Sequence, residues 1–156
     1  MMKKLFSLIC TLVFGLSMAH AATGPAQPYD ENADAKAAIT KALAEAKKSD
    51  KKVLVIFGAN WCKDCLELDK SMHGKSAPLL DSKFVTVKVN VGQFDKNMEL
   101  SNSYGTPTKK GIPAAVLLRP DNSVLYASKG GELSNARKMS EQGVYDFFDE
   151  ITALYH

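Results

Sequence analysis

The chain has 156 residues, 46% hydrophobic and 24% charged, with a formal net charge of +3 at pH 7. This length supports one domain with an ordinary core, and not two. The basic clusters Lys47-Lys48, Lys51-Lys52 and Lys109-Lys110 are short and interrupted, which argues against binding to nucleic acid or a membrane surface, since both want a concentrated basic field.

In chain order, Lys3 and Lys4 precede a mostly apolar run from Leu5 to Leu16, and Ala19-His20-Ala21 supplies a small-x-small cleavage site. That three-part layout is a secretory signal peptide. A retained anchor is the alternative, but the run is about twelve residues where a bilayer needs about twenty. The expected organisation is a leader over 1–21 and one domain over 22–156, delivered to the periplasm or another extracytoplasmic space. Losing two lysines and no acid brings the net charge from +3 to about +1. Cys10 leaves with the leader, and Ile9 before it is too bulky for a lipoprotein signal. Cys62 and Cys65 then remain as the mature thiols.

Ala35, Ala38, Ile39, Ala42, Leu43 and Ala46 recur at three-and-four spacing and predict an amphipathic helix, ended by a charged turn from Lys47 to Lys52. Val53 to Phe57 is a continuous apolar run, read as a central strand buried on both faces. A helix follows from the cysteine pair to Gly74, with Leu66, Leu68 and Met72 turned inward. Phe84 to Val89 alternates as a second strand, and a short helix is expected around Met98 and Leu100. A glycine-bracketed loop, Gly105 to Gly111, leads into a strand from Pro113 to Leu118. Pro120-Asp121-Asn122 turns into a partner strand at Val124 to Ala127, an edge hairpin. Val144, Phe147, Phe148, Ile151 and Leu154 mark a final helix. This order implies a sheet with helices on both faces.

Trp61-Cys62-Lys63-Asp64-Cys65 places two thiols three positions apart directly after the central strand. One can attack a disulfide and the other resolve the mixed intermediate, so thiol-disulfide chemistry leads. As a static staple the pair would close a very short loop and contribute little. A zinc site would need two more ligands, and the candidates are only His73, His156 and scattered carboxylates, so no metal is expected. GxGxxG, a phosphate-cradling loop and HExxH are absent, and no cofactor is implied.

Together these residues resemble the thioredoxin superfamily, across essentially the whole mature chain and most narrowly its secreted bacterial members. The likeness rests on the strand with Trp61-Cys62-Lys63-Asp64-Cys65, on Tyr104-Gly105, and on Gly111-Ile112-Pro113 opening the next strand. It implies an α/β thioredoxin-like fold with a central mixed sheet. Beside it stands a physical reading: Cys62 in the first turn of a helix meets unpaired N–H groups and the helix dipole, which favour a thiolate nucleophile. Cys65, a turn deeper, is the resolving thiol.

Five supporting residues carry paired readings. Trp61 offers a platform for substrate or simply packs. Lys63 favours the thiolate by charge or solubilises the helix. Asp64 stands where the thioredoxin pattern has proline: it accepts N–H groups in its own helical turn, or it raises the Cys65 pKa or relays its proton. The resemblance implies a cis bond before Pro113, exposing the Ile112 backbone for an extended client, whereas an ordinary trans proline would only start a strand. Ile56 replaces a buried acid common in the family and carries no proton. Thr106 to Lys110 is a longer insertion than the usual thioredoxin loop, expected to extend beside the active surface, with Lys109 and Lys110 guiding an acidic partner or merely solvated.

The leading function is an extracytoplasmic protein-disulfide oxidoreductase, with reduction of protein substrates favoured and a membrane redox partner resetting the pair. A monomer is expected. The alternatives are a disulfide oxidase, or a binding or assembly protein that holds a specific client in the same groove.

Overall fold

The computed structural model describes residues 27–155; the leader, Cys10 and His156 lie outside them. Helix α1 spans Ala35–Ser49, with the Asp34 carboxylate accepting the Ala37 N–H at its start and Asp50 in a left-handed conformation (φ 53°) at its end. It therefore reaches into the segment expected as a turn, carrying Lys47 and Lys48 in its last turn, where cations suit the helix dipole. Its buried stripe is Ala35, Ile39, Ala42 and Ala46, with Ala38 and Leu43 partly covered.

Strand β1, Lys52–Gly58, is the centre of the sheet. Val53 to Phe57 are fully buried, because β1 is paired along both edges and helices cover both faces of the sheet. Strand β2, Phe84–Asn90, runs parallel to it, and β3, Ala114–Leu118, antiparallel. Strand β4, Val124–Ala127, pairs antiparallel with β3 as an edge hairpin, giving the order β2-β1-β3-β4. Parallel pairing of β1 and β2 requires a crossover, supplied by α2 (Lys63–His73) and α3 (Ala77–Lys83). Helix α4, Met98–Ser103, and α5, Glu141–Leu154, complete the set. The result is a mixed sheet flanked by helices, the α/β arrangement of the thioredoxin fold.

Four further details depart from expectation. Helix α3 has no counterpart in the periodicity, since its seven residues bury only Leu80 in full. On α2 the inward apolar residues are Cys65, Leu68 and Met72, while Leu66 is half-buried. Strand β3 opens at Ala114, since Pro113 has no N–H for the ladder. The α5 stripe ends at Ile151: Leu154 is exposed, and Tyr155 turns instead onto Tyr126 of the hairpin, ring centroids 6.1 Å apart.

Candidate redox site

Strand β1 ends at Gly58, and the chain turns through Ala59, Asn60 and Trp61 into α2. Gly58 has no side chain because the Tyr29 ring lies where its Cβ would stand. Tyr29 is buried, and its backbone is locked to the turn: its N–H donates to Asn60 Oδ1 at 3.1 Å, and Asn60 Nδ2 donates to its carbonyl at 2.8 Å. Burial raises the Tyr29 phenol pKa well above its ordinary value, and the Asp69 charge adds to the effect. The phenol is thus a neutral wedge that sets the exit of β1.

Cys62 is the N-cap of α2, and Cys65 sits one turn inside the helix. They are joined as a disulfide with Cα atoms 5.2 Å apart. The Cys65 N–H points at Cys62 Sγ from 3.2 Å, so on reduction a sulfur anion there would accept an otherwise orphan helix donor. Cys62 is 7% exposed and Cys65 fully buried, which leaves only the first sulfur within reach of another protein. The carbonyl oxygen of Ile112 lies 3.6 Å from Cys62 Sγ, and the Ile112–Pro113 bond that follows it is cis. Chain segments fifty residues apart therefore meet at one sulfur.

The supporting residues divide. Trp61 stands half exposed, its Nε1 donating to the Gly92 carbonyl at 2.7 Å and its ring edge-on to Phe94 at 6.2 Å. Lys63 is exposed on the first turn. Asp64 accepts no N–H of its own turn. Its Oδ1 instead takes the Arg137 backbone N–H at 2.9 Å and lies 3.1 Å from Arg137 Nε. Burial pushes the Asp64 carboxyl up, but the Arg137 side-chain and backbone hydrogen bonds and the charges of Arg137 and Lys138 outweigh it and hold the pKa below the usual carboxylate range. Asp64 fastens the short 3-10 turn Ala136–Lys138 to the redox helix.

Ile56 is fully buried and lies in register between Lys88 of β2 and Ala115 of β3. The nearby ionic pair is Lys88 with Asp69, both side chains less than one-fifth exposed, with His73 Nδ1 3.4 Å from the same carboxylate. Residues 106–110 do not extend along the surface as expected. Pro107–Lys110 closes into a 3-10 turn with Pro107 and Thr108 buried, and Thr108 Oγ1 meets Ser101 Oγ at 2.9 Å. Lys109 and Lys110 stay in solvent. Gly111, at φ 112°, carries the chain from that turn to Ile112 in a conformation that favours glycine.

Sequence reasoning missed Tyr29, Asn60, Phe94 and Arg137. An aromatic among turn-forming residues, as in Gly92-Gln93-Phe94-Asp95, was a usable signal for Phe94; Arg137 had none. Among the described residues no cluster of three or more His, Cys, Asp or Glu is arranged to hold a metal ion.

A redox pair capping a helix, one sulfur reachable and one buried, on a mixed α/β sheet is the constellation of a thiol-disulfide oxidoreductase. The protein family described as thioredoxin-like matches residues 34–120, more than half of the chain, and the chain belongs to that family. A thioredoxin of Buchnera aphidicola subsp. Baizongia pistaciae is 34% identical over 90 residues, covering 58% of this chain and 74% of that protein. Among solved structures, a disulphide isomerase from Xylella fastidiosa Temecula1 superposes with a TM-score of 0.80 at 52% identity, over 83% of this chain and 99% of that one. The C-terminal domain of Neisseria meningitidis DsbD in its oxidised form gives 0.55 at 20% identity, over 76% and 96%, a likeness of fold alone.

Proposed function

We propose that the mature chain, residues 22–156, is an extracytoplasmic thiol-disulfide oxidoreductase that reduces disulfides in protein substrates. The observation that carries this reading is the asymmetry of the pair: Cys62 Sγ is the reachable atom and receives the Cys65 N–H, while Cys65 is sealed behind it. In the dithiol form Cys62 thiolate attacks a client sulfur, the client S–S bond breaks, and the released client thiolate takes a proton from water. Cys65 then gives up its proton and attacks Cys62, forming the Cys62–Cys65 disulfide and freeing the second client thiol. Two electrons pass to the client.

Ile112 and Pro113 support this chemistry by position: the Ile112 carbonyl is an acceptor for a client backbone N–H beside the reacting sulfur, and Pro113 has no N–H to compete. Trp61 supplies an apolar floor. Because an extracytoplasmic compartment is oxidising, the pair is reset by a dithiol donor, for which a membrane redox protein is the natural source. The protein acts as a monomer. Among the described residues no helix is long and apolar enough to cross a membrane. Disulfide isomerisation is the second reading, favoured by the 52% identity to the Xylella fastidiosa disulphide isomerase. It starts with the same attack and ends when a client thiol displaces Cys62.

Trapping tests the proposal. Cys65→Ser should accumulate client proteins bound to Cys62 through a mixed disulfide, whereas the double Cys62→Ser, Cys65→Ser variant should capture none and lose function. Full function in the double variant would replace the redox reading with the client-binding one.

A further inference from the structure

We propose that Phe94 is a specificity-determining residue, selecting client disulfides whose cysteines are flanked by bulky apolar side chains. The inference rests on the thiol-disulfide reading above and names the substrate class for the same site. Phe94 is 43% exposed, with a backbone φ of 63°. A left-handed conformation is unfavourable for a residue with a Cβ and is rare for a bulky one. Such an outlier points to function when its surroundings hold it in place.

Those surroundings are built in detail. Gly92 N–H donates to Asn90 Oδ1 at 3.1 Å, Gln93 N–H to Asp95 Oδ1 at 2.8 Å, and Asn97 Nδ2 to the Asn90 carbonyl at 2.8 Å. The Val91 N–H donates to the Gly58 carbonyl at 2.9 Å, tying the segment to the strand that delivers Cys62. The Trp61 indole N–H then fixes Gly92. Phe94 is thus anchored, yet it contributes a half-exposed ring against another half-exposed ring.

Position supplies the ligand chemistry. Trp61 immediately precedes Cys62, so the Trp61–Phe94 ledge begins one residue from the nucleophile. Any client forming a bond to Cys62 Sγ carries its neighbouring residues within about 4 Å of its own cysteine Cα, and these meet the ledge. A flanking aromatic or large aliphatic side chain loses apolar surface to water there. A flanking lysine makes no such gain, and the exposed charges next in sequence to the ledge, Lys63 and Lys96 against the single carboxylate of Asp95, leave a net positive balance that disfavours it.

The test uses the protein reduced with dithiothreitol and freed of excess reagent, so that its own dithiol supplies both electrons in a single turnover. Substrates are disulfide-cyclised peptides identical except that both cysteines are preceded by Phe, Ser or Lys; glutathione disulfide serves as a small reference. The wild type should reduce the Phe peptide about five- to tenfold faster than the Ser peptide, with the Lys peptide slowest. Phe94→Ser should bring the Phe and Ser rates within about twofold, Phe94→Tyr should restore the preference, and neither should change the glutathione disulfide rate. Equal Phe and Ser rates in the wild type, or an undiminished preference in Phe94→Ser, would overturn the proposal while leaving the oxidoreductase reading intact. No reaction with any disulfide would overturn both. Phe94→Gly, which suits a positive φ, should lose the preference without lowering the unfolding temperature, separating selectivity from folding.

Discussion

Among the described residues, two groups of aromatic rings stand at similar spacing. Tyr126, Phe147, Phe148 and Tyr155 join the hairpin edge to α5, with centroids 5.3 to 6.1 Å apart, while Trp61 and Phe94 meet at 6.2 Å beside Cys62. In the first group Phe148 is fully buried and its three companions are half-buried; in the second both rings stand out in solvent. Ring geometry is therefore common to a packed seam and to a reactive surface. Exposure, and what the backbone does to maintain it, tells them apart.

Substitution at each place sharpens that contrast. Cys62→Ser, at the reactive end, should reduce disulfide exchange to the uncatalysed background in an insulin-reduction assay while the protein unfolds at nearly the same temperature. Phe148→Ala should do the reverse: a loss of about 3 to 5 kcal/mol in denaturant unfolding, with unchanged exchange per folded molecule. If Phe148→Ala instead slowed exchange on fully folded protein, the seam would not be purely structural.

Asp64 lies between these extremes, because it fastens a surface turn to the redox helix. Removing it as Asp64→Ala should cost about 1 kcal/mol, the worth of one hydrogen bond to a carboxylate whose exposed Arg137 partner adds little. Its folded pKa is lowered, so this contribution is fully present above the unfolded-chain value, about 3.9, and is lost as the pH falls through the folded value. Asp64→Asn should accordingly flatten part of the acid-side fall in stability below about pH 4. An identical pH profile in wild type and Asp64→Asn would contradict the contact. The smallest effect belongs to Phe94→Gly, where relief of the positive φ should raise stability by up to about 1 kcal/mol; a clear loss in the same unfolding experiment would make Phe94 a packing residue.

Local patterns made much of the fold legible. The unbroken β-branched run Val53 to Phe57 reads as a strand covered on both faces, and α1 and α5 write their faces at three-and-four spacing. Helix α3 left no such trace, being short and mostly exposed. The cysteine pair was plain because both members lie in one helical turn. Hidden were the contacts that join distant segments: the Arg137 N–H on Asp64 and the Tyr29 backbone on Asn60 have no local signature, since either side chain would read as an ordinary polar residue. The fold of the 106–110 segment is hidden for the same reason, as Thr108 turns inward to meet Ser101 on α4. Backbone sign was equally invisible, and it is the positive φ of Phe94 that separates a displayed ring from a loop residue.

The redox potential of the Cys62–Cys65 pair tests the central claim most directly. The mature protein would be equilibrated in glutathione buffers of defined ratio and its free thiols counted by alkylation and mass. A reductase account expects a potential near or below about −270 mV, the thioredoxin value; one near −120 mV, that of a strong oxidant, would contradict it.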